Sequence, residues 1–219
     1  MAIPKRDFRL EDRIIRQRNR ILQINNQISI DDICGSISAC YALEYLGFAF
    51  DAAQIIKDSK DGTQNQGADA FSLSYAIAKH QDVQVTLNIN YDASDFDADD
   101  QDSTDKFNSL KTTKEHKSIP IKKVLRRYTK VSIPIVAFWR NGDKKLPHFS
   151  PLVGETYVGL RFILDDKNGQ VRPQFDEFIN QNWWNAENGG TSIIIRKRGL
   201  INFIKYHFYV TCNFLLSLK

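Results

Sequence analysis

The segment Asp31-Asp32-Ile33-Cys34-Gly35-Ser36-Ile37-Ser38-Ala39-Cys40-Tyr41-Ala42-Leu43-Glu44-Tyr45-Leu46-Gly47 restricts the fold more than any other part of the chain. Ile37, Tyr41 and the run from Leu43 to Leu46 recur at helical spacing, and Gly47 suits the end of a helix. The expected structure is a buried helix with Cys34 in its first turn, preceded by a short polar loop carrying Asn26 and Gln27. At a helix N-terminus the backbone N–H groups and the macrodipole stabilise an anion, which favours a thiolate nucleophile. The Cys34 N–H can also face a developing oxyanion. A cysteine in such a place is more often a small buried hydrophobe. A chemical role therefore requires a base from elsewhere in the chain.

Four histidines are available for that role. His148 lies in Leu146-Pro147-His148-Phe149-Ser150-Pro151-Leu152-Val153-Gly154, where an apolar strand begins. A second strand, Leu160-Arg161-Phe162-Ile163-Leu164, ends in Asp165-Asp166. A hairpin of this kind holds an imidazole on one strand beside a carboxylate at the end of the next, the base-plus-orienter arrangement that activates a thiol. His80 follows Lys79 at the end of an expected helix over 70–80, where the dipole favours a cation, so capping accounts for it. His116 falls in a polar surface stretch.

In combination these blocks resemble a known family. Cys-Gly opening a helix that closes on Tyr-Leu-Gly, then His-Phe-Ser-Pro-Leu-Val-Gly and a hydrophobic strand ending in Asp, is similar to the papain-like-fold cysteine peptidases of the bacterial bacteriocin-leader-processing type. Phytochelatin synthases, transpeptidases of the same fold, have a very similar His-Phe-Ser-Pro run. Residues 67–87 resemble the family's second helix and first strand, and residues 121–139 its helix leading into the strand before the histidine. Trp184-Asn185-Ala186-Glu187-Asn188-Gly189-Gly190, followed by Ile193-Ile194-Ile195-Arg196, resembles the last strand of papain. The resemblance runs from Gln27 to Arg198.

It implies an α+β fold of papain-like type, a helical half and an antiparallel sheet half with a cleft between them. Cys34 would be the nucleophile, His148 the base and Asp165 the orienting carboxylate. Asp166 is the alternative third residue, unless it only begins the turn Asp166-Lys167-Asn168-Gly169. The family's oxyanion glutamine stands six residues before the cysteine, a position held here by Ile28; Gln27 is the substitute and Asn26 the reserve. The implied partner is a peptide or protein substrate, and no metal or organic cofactor is required. Transpeptidation on the same fold and a catalytically silent peptide-binding module are the alternatives.

With 219 residues, 42% of them hydrophobic, the chain suits one globular domain with a sizeable core. It divides into an N-terminal basic helix within 1–26 and a peptidase-like domain over 27–219. Three cysteines, an odd number, argue against a disulfide framework and for a reducing compartment. The N-terminus has charge but no apolar run, so no secretory signal is expected and a cytoplasmic location is the default, with secretion as an effector left open. The net charge of +4 favours acidic partners without indicating nucleic acid. From Phe8 to Ile24, Leu10, Ile14, Ile15, Ile21 and Leu22 form an apolar helical face opposite Arg9, Arg13, Arg16, Arg18 and Arg20; that basic face is solvated or meets phosphate or anionic lipid.

Further along, short helices are expected over 52–57 and 121–128, strands over 83–89 and 133–139, and a turn at Arg140-Asn141-Gly142-Asp143. Gly62 to Gly67 reads as a polar loop bordering a substrate cleft, and Trp183 and Trp184 as packing anchors. The acidic run from Asp92 to Asp102 invites a calcium reading but has Asp100 where glycine is needed and Lys106 where the bidentate Glu belongs. It is expected as a mobile loop continuing to Lys117. The segment Leu200 to Leu218 is apolar and aromatic but interrupted by Asn202, Lys205, His207, Thr211 and Asn213. That pattern carries too many polar groups for a transmembrane span to be expected, leaves peripheral membrane contact open, and suggests strands covering the sheet with Cys212 buried.

Overall fold

A computed structural model of the chain describes residues 8–24, 33–59, 68–89, 105–106, 108–110, 114–117, 123–124, 126–139, 147–155, 161–165, 170–174 and 190–216. They form an α+β arrangement of helices packed on a largely antiparallel sheet. Helices α1 (Phe8–Ile24), α2 (Cys34–Tyr45), α3 (Ala52–Ser59) and α4 (Ala70–Ala78) come first. Strands β1 (Val83–Ile89), β2 (Lys114–Lys117), β3 (Ser132–Trp139), β4 (Pro147–Glu155), β5 (Arg161–Asp165), β6 (Gln170–Gln174) and β7 (Ser192–Lys197) follow, and α5 (Leu200–Leu216) comes last.

Helix α2 is buried from Cys34 through Leu43. A helix enclosed on all sides needs no polar face, and Gly35, Ser36, Ser38, Ala39 and Ala42 let its neighbours approach closely. It stops where Gly47 adopts a left-handed φ of 78°. The Phe48 N–H then donates to Leu43 O at 2.9 Å and the Gly47 N–H to Glu44 O at 2.9 Å, the paired bonds of a Schellman ending. Helix α1 lies against α2: Ile21 is fully buried in the core, and Arg16 and Gln17 both donate to the Glu44 carboxylate. Helix α4 is started by Asp69, whose carboxylate accepts from Phe71 N at 2.7 Å and Ser72 N at 2.8 Å. A buried serine ladder joins the helices, with Ser36 Oγ 3.2 Å from Ser59 Oγ and the Ser72 hydroxyl donating to Ser59 O.

The sheet order is β2-β1-β7-β3-β4-β5-β6, antiparallel except for β1 and β2. Strand β7, late in the chain, pairs with both β1 and β3 and closes the centre. Alternation sets one face toward the helices: Val85, Leu87, Ile133, Ile135, Ala137, Phe149, Ile193 and Ile195 join Ile37, Tyr41, Phe71 and Cys34 in one apolar core.

Expected helices at 8–24 and 70–80 and strands at 83–89 and 133–139 are present within a residue or two, and the 52–57 helix extends to Ser59. Two expectations change. The loop expected to continue to Lys117 ends earlier, because Lys114–Lys117 form β2 and pair in parallel with β1 at the sheet edge. The C-terminal segment is the helix α5 rather than strands, and Cys212 is half-buried rather than buried. Tyr206 and Asn213, two helical turns apart, hold one side of α5 to the body, a pattern that a strand cannot present. Within the expected 121–128 helix, residues 123–124 are helical and 126–127 form a turn. The loop at 62–67, the acidic run 92–102, the turn at 140–143 and Trp183 and Trp184 lie outside the described residues.

Candidate active site

Cys34 is the first residue of α2. Ile33 precedes it as the N-cap with φ −118° and ψ 15° and supplies no side-chain cap, and the first turn contains no acidic residue. The positive end of the helix dipole therefore acts on the thiol. The thiol is enclosed, at 3% exposure, where a low dielectric strengthens such a field.

His148 stands at the second position of β4, also enclosed at 4% exposure. Its backbone pairs with Phe138 of β3 across an antiparallel hairpin. The elements that carry them, α2 and β4, are joined through Ser38. One turn after Cys34, its hydroxyl donates to the carbonyl of Phe149 at 3.0 Å. Residues i and i+4 lie above one another on a helix, so the α2 face that carries the thiol is the face fastened to the residue following His148. The Phe149 ring and Cys34 share the same core cluster.

Strand β5 pairs antiparallel with β4, Leu152 opposite Ile163. By alternation, positions 148 and 150 of β4 share a sheet face, the one opposite Phe149. On this face a buried polar row crosses the sheet: Asn88 donates to Ser192 Oγ at 3.1 Å, and Val136 of β3 is the register partner of both Ser192 and Ser150. Ser38, Ser150, Ser192 and Asn88 were not singled out in sequence. Isolated serines and asparagines carry no periodic signal, and only the register aligns them.

The structure thus joins α2, which Cys34 opens, to β4 at the residue after His148, and ends β5 at Asp165; the Asp165 side chain, Asp166, Asn26 and Gln27 lie outside the described residues. His80 Nε2 lies 3.0 Å from Ala49 O and its ring 4.9 Å from that of Phe48, a packing role close to the capping one expected. All three cysteines are free thiols, Cys40 being buried and Cys212 half-buried. Among the described residues no cluster of three or more His, Cys, Asp or Glu is arranged to hold a metal. Comparison of the chain with protein-family models and with curated proteins finds no match.

Proposed function

We propose that the chain is a cysteine peptidase or acyltransferase of the papain-like kind, acting on an amide of a peptide or protein. The observation that carries this reading is the Ser38 to Phe149 hydrogen bond, which ties the thiol-bearing face of α2 to the strand residue beside His148. In this mechanism His148 takes the thiol proton and the Cys34 sulfur attacks the carbonyl carbon. The oxyanion meets the Cys34 N–H and a side-chain amide from Gln27 or Asn26. The C–N bond breaks as the imidazolium gives its proton to the leaving amine, and a thioester remains on Cys34. Water then cleaves it, giving hydrolysis, or a second amine takes the acyl group, giving transpeptidation. Asp165 keeps the imidazole oriented through both steps.

A small alkylating reagent tests the nucleophile. At mildly acidic pH Cys34 labels fastest, because Cys40 and Cys212 do not stand at a helix N-terminus. The preference disappears in His148→Ala. Uniform labelling of the three thiols would instead mark a peptide-binding module that keeps the architecture without the chemistry.

The oxyanion donor has its own test. Gln27→Ala lowers kcat on a panel of peptide amides by about 10²- to 10³-fold, the effect of losing one preorganised donor, while thiol labelling is little changed. Asn26→Ala is nearly silent. The opposite ranking transfers the role to Asn26.

A further inference from the structure

Helix α5 is amphipathic in the reverse sense. A stripe of its apolar side chains faces solvent, and polar groups on its other side bond to the protein. Ile201, Ile204, Phe208 and Leu215 fall within roughly 60° of arc at 100° per residue, with Leu200 and Thr211 at the margin. Ile201 is 69% exposed, Ile204 59% and Phe208 64%. On the opposite side the Tyr206 hydroxyl accepts from Arg127 at 2.8 Å, and the Asn213 amide donates to the carbonyls of Arg126 and Tyr128. The helix is therefore held to the body by polar contacts while its apolar side chains point away from it. Single exposed apolar residues are ordinary; an aligned row along a whole helix marks a contact surface.

The charge around the stripe selects its occupant. From Asn188 to Lys219 the chain contains no Asp or Glu, but it has Arg196, Lys197, Arg198, Lys205 and Lys219. Among the described residues, none of the first four forms an ion pair. Exposed Lys205 borders the stripe on one side, and on the other Arg126 lies 4.8 Å over the Phe214 ring. At the root of the helix an open concavity is lined by Arg196, Lys197, Arg198, Leu200 and Phe203, together with Gln84. Arg196 is the structural member of this group. Its guanidinium bonds Gln84 and lies against the rings of Phe203 and Tyr206. Burial draws its pKa below the ordinary value, with Tyr206 opposing and Arg127 reinforcing the shift. Arg198, exposed at the rim, donates one N–H to Val83 O at 3.0 Å and keeps its other donors for an anion.

We propose that α5 docks the protein on an anionic lipid surface, the Ile201–Ile204–Phe208–Leu215 stripe lying in the headgroup boundary and Arg198 and Lys205 meeting lipid phosphates or carboxylates. The helix lies on the bilayer and does not cross it: 17 residues span only about 25 Å, against a hydrocarbon core of about 30 Å. Among the described residues no helix is long and apolar enough to cross. An apolar helix face rimmed by basic residues is the combination that partitions into such interfaces.

The test is sedimentation of the full chain with phosphatidylcholine vesicles that contain phosphatidylserine. The chain pellets with them, less so with phosphatidylcholine alone, and less as salt rises. Phe208→Ser and Ile204→Ser each lower the partition coefficient by about tenfold. Because both side chains are exposed, the thermal unfolding of these variants matches that of the parent. Lys205→Glu, which leaves the apolar stripe intact, lowers partition by about fivefold. The proposal is overturned if the chain stays in the supernatant, or if F208S and I204S pellet as well as the parent. It is also overturned if sedimentation velocity shows a dimer that F208S dissolves without any vesicle binding, which would assign the stripe to a second copy of the chain.

Discussion

Cys34→Ala abolishes acyl transfer and leaves the domain folded. With the proposed nucleophile gone, only binding and oxyanion contacts remain, and the rate falls by roughly 10⁴-fold or more. The effect on stability is small but not nil. The thiol is 3% exposed and part of the core. Removing it costs about 1 kcal/mol of packing, partly offset by the better helix propensity of alanine. Trapping of the acyl-enzyme from a panel of peptide amides, beside a circular dichroism melt, separates the two effects. Cys40→Ala is the control, since Cys40 is equally buried in the same helix without standing at its N-terminus. A Cys34→Ala chain that still formed an acyl-enzyme at the parent rate would end the nucleophile assignment.

Phe149→Ala produces the largest loss of stability. The ring is among the largest fully buried side chains, on the core-facing row of β4 opposite Ala137. Alanine leaves a cavity under α2 that the sheet cannot collapse to fill, at a cost of about 3–5 kcal/mol. Against a total of about 5–15 kcal/mol for a typical domain this is a large fraction. Urea unfolding should show a lower midpoint with an unchanged slope, since the surface exposed on unfolding is nearly the same. The Phe149 carbonyl, and with it the bond from Ser38, survives the substitution. Thiol labelling of the folded fraction therefore retains its Cys34 preference. A loss below about 1 kcal/mol would mean that the helix and sheet are not packed through this ring.

Several elements were legible because their cause is local. The helical spacing of α1, the buried run of α2 ended by Gly47 and the β-branched alternation of β1 follow from neighbours within a few residues. The hairpin that carries His148 was legible from two apolar runs with a turn signal between them. Strand β2 was not. Lys114-Glu115-His116-Lys117 has no apolar alternation, and its pairing comes from the open edge of β1. Helix α5 misled for a different reason. An apolar, aromatic run suggests strands laid on the sheet, since burial normally turns such residues inward, whereas the large apolar residues of α5 face out.

Local sequence was enough to place the residues of the proposed chemistry, a cysteine opening a helix, a histidine near the start of a strand and an aspartate closing the next one, each in a short segment whose form is a local matter. The tertiary structure alone decided that these segments meet. Ser38 reaches the Phe149 carbonyl across 111 positions of sequence, and β7 inserts between β1 and β3. No local propensity encodes such contacts. They arise because the apolar faces of α2 and of the sheet lose the most water by closing on each other, and the hydrogen-bonding groups carried along must then pair in the register that closure leaves.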